Sequence, residues 1–386
     1  MSIYNFIISE DSRAFFTVID IIILLYIWNK TKSSVLYANS GKENGQLKFA
    51  LLMFIFCIFS MWAADWYHYL EEFEHVKHYG GEHINLEPVY IWLIENICSN
   101  IIQFRVIIWG AAVLLLYKLF RRVSLPTELL VCVFCGIWLI WFSYARASLA
   151  MILIYFGFSL CYKPVFSSKS ISMIVGICVM ALSFFFHKSA SFGIAMCLLA
   201  LITDRLGRKT TTLFLLIIPV VIILARGFIV NYLSMDFDST GSELEANLAA
   251  GQRNFGELSN YSRGIGAIIR DIFELTVYYA VAYMCFKFNQ KGFSHDGIPI
   301  ELNAFTKLTF FIILFASIFA FNLGFDTTTI YRRFMLYSCV PCAISLAFFH
   351  HYQMFPKLTK IVIKFGLIGM FYTIFYSLYR TLLHLL

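Results

Sequence analysis

Runs of about twenty apolar residues recur from one end of this chain to the other, and no other sequence feature constrains the fold as strongly. Inside a bilayer no water is available to backbone N–H and C=O groups, so a spanning segment must satisfy them internally. Continuous apolar runs of this length select the helix; a membrane barrel would instead show alternation over about ten residues. Charge tells the same story. Only 14% of the 386 residues are Asp, Glu, Lys or Arg, while 60% are hydrophobic and 18% aromatic. Soluble domains carry about 25% charged residues. A mean hydropathy of +0.75 completes the picture. These values exclude a soluble enzyme, a disordered chain and a nucleic-acid-binding module. The expected fold class is all-α, a polytopic transmembrane bundle forming one integral membrane domain over residues 1–386.

About twelve spans are expected, centred on residues 15–28, 50–64, 106–120, 129–144, 148–162, 171–186, 191–203, 212–232, 265–286, 308–324, 334–349 and 361–382. The first residues lack the basic stretch of a cleaved signal peptide. Alternate loops differ sharply in charge. Lys30, Lys32, Arg121, Arg122, Arg205, Arg208, Lys209, Lys357 and Lys360 fall on one side, and Asp65, Glu71, Glu72, Glu74, Asp236 and Asp238 on the other. The positive-inside bias makes the first side cytoplasmic, which places both termini outside. Two long loops, 65–104 and 231–264, then lie outside as well. Pro88 favours a short helix opening there. Tyr90, Ile94, Ile97 and Ile101 would share its apolar face, as in a helix lying at the interface.

Several cations run against the charge bias. Arg105, Arg146, Lys188, Arg263, Arg270, Arg332 and Arg333 all fall near outer helix ends. Where the helix begins there, the macrodipole is already positive and a cation gains nothing from it. Convergence of such residues with free backbone N–H groups would build an anion site. Snorkelling and local pairing are the alternatives; Arg270 with Glu274, four residues on, is the plainest such pair. The anion reading is favoured for Arg146 and for the Arg332–Arg333 pair.

His187 stands beside Lys188 at an outward turn. A neutral imidazole with access to water suits a general base; a structural hydrogen-bonding role is the competing reading. Asp65 opens an Asp-Trp-Tyr-His-Tyr segment in which Tyr67 and Tyr69 supply aromatic faces for sugar C–H groups. Its competing reading is an interfacial aromatic belt with one solvated acid. The nearby His68, His75, His78 and His83 match no strong metal signature, so no metal is expected. The two C-x-x-C pairs, Cys132/Cys135 and Cys339/Cys342, sit within apolar runs and read as packing. No cofactor-binding motif is present, and no glycine loop of the ATP-binding type.

Tyr144-Ala-Arg146-Ala-Ser-Leu-Ala, followed by an apolar helix and Phe186-His187-Lys188-Ser-Ala, resembles the central block of the EpsG family. These are polysaccharide polymerases related to the Wzy-type O-antigen polymerases. Asp65-Trp-Tyr-His-Tyr, Glu87-Pro88-Val-Tyr90 and Tyr331-Arg332-Arg333 through Tyr337 resemble further family anchors. The resemblance implies a bacterial inner-membrane glycosyltransferase, active on the periplasmic face. It would move a growing glycan from undecaprenyl pyrophosphate onto another lipid-linked repeat unit. The implied partners are the lipid-linked oligosaccharide donor and acceptor, membrane lipid and a chain-length regulator protein. In that setting Arg146, Arg332 and Arg333, with Lys188 and Arg270 as weaker candidates, would hold the pyrophosphate. His187 or Asp65 would activate the acceptor, and Tyr67, Tyr69 and Tyr331 would contact sugars. A lipid-linked oligosaccharide flippase and an O-antigen ligase remain the alternatives.

Overall fold

The computed structural model describes residues 10–36, 46–59, 66–81, 86–139, 145–204, 265–290, 298–323 and 334–385, together with 217–218, 220–221 and 224. Among these residues every regular element is helical. The chain runs α1 (Glu10–Leu36), α2 (Gln46–Phe59), α3 (Trp66–Tyr79), α4 (Pro88–Asn96), α5 (Ile101–Arg122), α6 (Thr127–Ile137) and α7 (Ala145–Tyr162). It continues through α8 (Lys169–Leu182), a 3-10 turn (Ser183–Phe185), α9 (Ala190–Thr203), α10 (Ile265–Gln290), α11 (Ile300–Leu323), α12 (Cys339–His351) and α13 (Pro356–Leu385). The expected apolar segments 15–28, 106–120, 148–162, 171–186, 191–203, 265–286 and 361–382 fall on these helices, while 50–64, 129–144 and 308–324 reach beyond the described residues and 212–232 lies mostly outside them.

Length separates these helices. Ile101–Arg122, Ile300–Phe319 and Phe334–His351 are each long and apolar enough to cross a membrane. The apolar stretches Thr127–Ile137, Arg146–Tyr162, Lys169–Phe185 and Ala190–Thr203 are shorter. An 11-residue helix such as α6 rises about 16 Å, half the thickness of the hydrocarbon layer. Such helices are held by their neighbours. All of Leu130 to Ile137 in α6 is buried, and so is α12 from Cys339 to Phe349. A helix apolar on every face belongs in the middle of a bundle. Indeed α12 packs on α6, α10, α11 and α13, while α7 packs on α5, α8, α9 and α11.

The α7–α8 hairpin matters most for the site. Gly157 and Gly176 face each other so closely that a Cβ on Gly157 would lie 2.5 Å from the Gly176 carbonyl oxygen, and one on Gly176 2.6 Å from that of Gly157. Small residues of this kind bring membrane helices into backbone contact, where dispersion replaces the missing hydrophobic drive. The antiparallel pair therefore returns the chain after α8 to the end at which α7 began. Arg146 and His187 become neighbours for this reason.

The segment 65–104 is more helical than the sequence indicated. α3 is a separate amphipathic helix whose inner face carries Tyr69, Glu72, Phe73 and Val76, with Phe73 and Val76 each 2% exposed. Spacing of three and four residues puts them in one stripe. Its mixed-charge composition conceals that stripe, because a glutamate occupies one inner position. α4 turns Tyr90 and Ile94 inward. Ile97 is half exposed, since α4 ends at Asn96 and Asn100 caps a new helix by accepting from the Gln103 N–H at 2.9 Å.

Candidate functional site

Four charged or titratable side chains from four elements meet where α7 begins: Glu72 of α3, Glu87 before α4, Arg146 of α7 and His187 after the 3-10 turn. His187 Nδ1 lies 2.7 Å from Glu87 Oε1, and Arg146 Nη1 lies 3.4 Å from Glu87 Oε2 and 3.9 Å from Glu72 Oε1. The ring of Tyr69 lies beneath the guanidinium, 5.2 Å from centroid to Cζ, a distance at which the ring quadrupole attracts the cation. The cluster is sheltered: Glu87 is 7% exposed and His187 19%.

Local sequence explains each position. Glu87 precedes Pro88 and is the N-cap of α4. Its carbonyl accepts from Tyr90 N–H at 2.9 Å, yet its side chain makes no cap to its own helix. Both carboxylate oxygens are turned instead toward His187 and Arg146. Tyr90 fastens this arrangement from below. It is fully buried, edge-on to Phe104 and to Phe186, and its hydroxyl donates to the Arg146 carbonyl at 3.3 Å. Phe186 is the residue before His187, so one tyrosine braces both the guanidinium-bearing turn and the imidazole-bearing one. His187 N–H donates to Ser183 O at 3.1 Å, and its own carbonyl accepts from Ala190 N–H at 2.9 Å, which starts α9.

Burial pushes the Glu87 carboxyl upward. The hydrogen bond with His187 and the charge of Arg146 outweigh that effect and hold it below the ordinary glutamate value. An ionised carboxylate only accepts, so the 2.7 Å contact requires a proton on His187 Nδ1. Formally the four side chains carry two negative charges and one positive while the imidazole is neutral.

A second link joins the His187 turn to α12. Ser189 Oγ and Tyr337 Oη lie 3.0 Å apart, and Phe334 stacks on Phe192 of α9 at 4.3 Å. Tyr155 donates its hydroxyl to the Tyr337 carbonyl. These contacts fix the chain that follows the arginine pair against the start of α9.

The expected residues fare differently. Arg146, His187 and Tyr69 come together, although Tyr69 spends its ring on the guanidinium. Lys188 stands exposed on the His187 turn. Arg270 goes elsewhere: its guanidinium lies 3.4 Å from Asp271. With Trp138, Glu274 and Gly366 it lines a cavity of about 30 Å³ between α6, α10 and α13. That space suits a water molecule or two and no sugar. Arg105, another outward cation, is 5% exposed and donates to the carbonyls of Ile58 and Cys57 at 2.9 and 2.6 Å. It closes the C-terminus of α2, where carbonyls lack helical partners. Asp65, Arg263, Tyr331, Arg332, Arg333 and the side chain of Tyr67 lie outside the described residues, as does the loop 231–264. The histidines His75 and His78 sit on the outer face of α3, and no metal-binding group of three occurs among the described residues. The cysteine pairs pack in the core, Cys339 against the Tyr278 hydroxyl and Cys135 against the Met53 sulfur.

Sequence reasoning did not single out Glu72, Glu87, Ser189 or Tyr337 as site residues. A signal existed for the first two. Glu72 interrupts the apolar stripe of α3, and Glu87 is an acid placed at a proline-initiated helix start in a chain poor in charge.

A buried cluster of two acids, a guanidinium and an imidazole at one end of a tightly packed helical bundle defines a membrane protein with a polar, chemically equipped site. The EpsG family model matches residues 46–384, and the chain belongs to that family, a family of Wzy-like polymerases. Neither the curated proteins nor the solved structures contain a match.

Proposed function

We propose that this protein is a polysaccharide polymerase of the bacterial inner membrane. It transfers a growing glycan from undecaprenyl pyrophosphate onto the sugar end of another lipid-linked repeat unit, on the periplasmic face, as in O-antigen biosynthesis. Membership in the EpsG family supports the reaction class. The observation that carries the site is the sheltered contact of His187 with Glu87, with Arg146 on the other carboxylate oxygen. The charge bias of the loops supports a bundle with both termini and this cluster outside.

The reaction needs a base for the acceptor and cations for the leaving group. His187 Nε2 takes the proton of the acceptor hydroxyl as its oxygen bonds to the anomeric carbon. The bond from that carbon to the phosphate oxygen breaks, and the electron pair leaves with the pyrophosphate. Asp65 is the alternative base. Arg146, Arg332, Arg333 and Lys188 supply positive charge where the pyrophosphate collects its own. Arg146 holds Glu87 and Glu72 at 3.4 and 3.9 Å, looser than the 2.7–2.9 Å typical of a tight charge-assisted bond, so a phosphate oxygen competes with them readily. Arg270, beside Asp271 and a water-sized cavity, stands apart from this set. Tyr67 and Tyr331 are the sugar contacts of this reading, while Tyr69 supports the Arg146 guanidinium.

Deletion and restoration of the gene in its source bacterium test the reading. A gel of surface glycolipids should collapse from a ladder to core plus one repeat, and recover with wild type. Loss of every rung, the single repeat included, would point to a ligase or flippase. An unchanged ladder would remove the O-antigen assignment.

A further inference from the structure

We infer that Glu87 is a positioning residue: it orients the His187 imidazole as the Nδ1–H tautomer, so that Nε2 is presented to an acceptor hydroxyl. The inference rests on the proposed polymerase reaction for its function, and on geometry alone for the orientation. The 2.7 Å contact joins Nδ1 to Oε1, so the second ring nitrogen is the one left to reach substrate. A carboxylate against Nδ1 fixes ring plane and tautomer together, and it stabilises the imidazolium formed when Nε2 takes a proton.

Three observations make this more than a passing ion pair. Glu87 is the N-cap of α4, yet gives neither oxygen to its own helix. Its backbone is pinned by α4, which Tyr90 ties to the Arg146 carbonyl. Its other oxygen faces Arg146, which limits rotation of the carboxylate away from His187. Glu87 thus links the base to the cation, and displacing it disturbs both. The acceptor it serves is a hydroxyl, because a neutral imidazole nitrogen accepts one proton and offers no positive charge to an anion. The pyrophosphate end of the donor accordingly belongs to the arginines and not to this ring.

The test uses full-length protein in lipid nanodiscs with ring-15N-labelled histidine. Of the nine histidines, His187 is assigned as the signal lost in H187Q. At a pH where the ring is neutral, wild type should show the proton on Nδ1. E87A should lose that preference, since an imidazole without such a partner favours Nε2–H. E74Q, an exposed-side glutamate change on α3, should leave the signal in place. In parallel, polymer formation is followed with lipid-linked oligosaccharide extracted from the deletion strain. E87A should slow it by at least about 10-fold, as expected when a catalytic histidine loses the carboxylate that holds its tautomer. If E87A does not survive extraction, E87D answers the same question, because its carboxylate is one methylene too short for the 2.7 Å contact.

A wild-type proton on Nε2 overturns the inference, as does an E87A or E87D spectrum identical to wild type. A spectrum that changes while polymer formation does not removes the catalytic half of it. If H187Q and R146A also polymerise normally, the polymerase assignment of this cluster fails, whatever the spectrum shows.

Discussion

The two ends of α7 both gather charge, and they use it in opposite ways. At the Tyr162 end, ionic and polar groups meet in closed local sets. Lys307 pairs with Asp204, Tyr162 donates to the same carboxylate, and Ser124 donates to Glu301. Arg122 donates to Ser159 Oγ at 3.1 Å and to the Lys163 carbonyl, while Lys163 Nζ returns a bond to the Arg122 carbonyl at 2.8 Å. These contacts tie helix ends together. At the Arg146 end, two carboxylates share one guanidinium, and one of them also holds an imidazole. The first set is structural. The second brings together two carboxylates, a guanidinium and a group able to take a proton. Counting charges would not separate them; how the partners are shared does.

The largest expected break between the two ends is catalytic. R146A should lower polymer formation by about 10²–10³-fold, equivalent to roughly 3–4 kcal/mol in the barrier, whereas K307A should leave the glycolipid ladder unchanged. Equal loss in both variants would erase the distinction.

Next comes the hairpin that creates the Arg146 end. G157A places a methyl group 2.5 Å from a backbone oxygen that belongs to the facing helix. Overpacking of this kind costs about 1–3 kcal/mol, and a rigid backbone neighbour argues for the upper part of that range. Thermal unfolding in detergent should show the drop, with activity falling alongside because Arg146 and His187 move apart.

A pH series sharpens the comparison further. The Glu87 carboxyl sits lower in the folded protein than in the unfolded chain. Its contribution to stability is therefore complete above the ordinary glutamate value, about 4.3, and disappears as the pH falls through the lower folded value. Wild type should exceed E87Q in stability by about 1.5–3 kcal/mol near neutrality, and the two melting curves should converge in acid. A gap that stayed constant down to strongly acidic pH would mean that the carboxylate charge contributes nothing.

The smallest effect belongs to the closed end. The side chains of Lys307 and Asp204 are 20% and 29% exposed, and D204N should cost no more than about 1 kcal/mol. Polymer length and amount should not change.

Much of this contrast was legible beforehand on one side only. Arg146 and His187 stand out because a cation and an imidazole at apolar helix ends are costly and rare. Arg270 and Arg105 stand out by the same rule, yet the structure gives Arg270 a water-sized cavity with Asp271 beside it and gives Arg105 the carbonyls of α2. Sequence marks the cost of a buried cation and not the partner that offsets it. In the sequence Glu72 reads as one more solvated acid of a mixed-charge loop, and Glu87 stands only within a family anchor. Only the amphipathic stripe of α3 and the proline start of α4 turn them inward.

The membrane setting, the helical class and the family are all legible along the chain, because hydropathy and backbone hydrogen bonding act over a single helix. The tertiary structure alone decided which charged groups share a site. Glu87 and His187 are 100 positions apart and Glu87 and Arg146 59. They meet because two glycines let α7 and α8 touch and a tyrosine draws α4 onto their open end. No local pattern encodes that meeting; it follows from packing, where each contact depends on all the others around it.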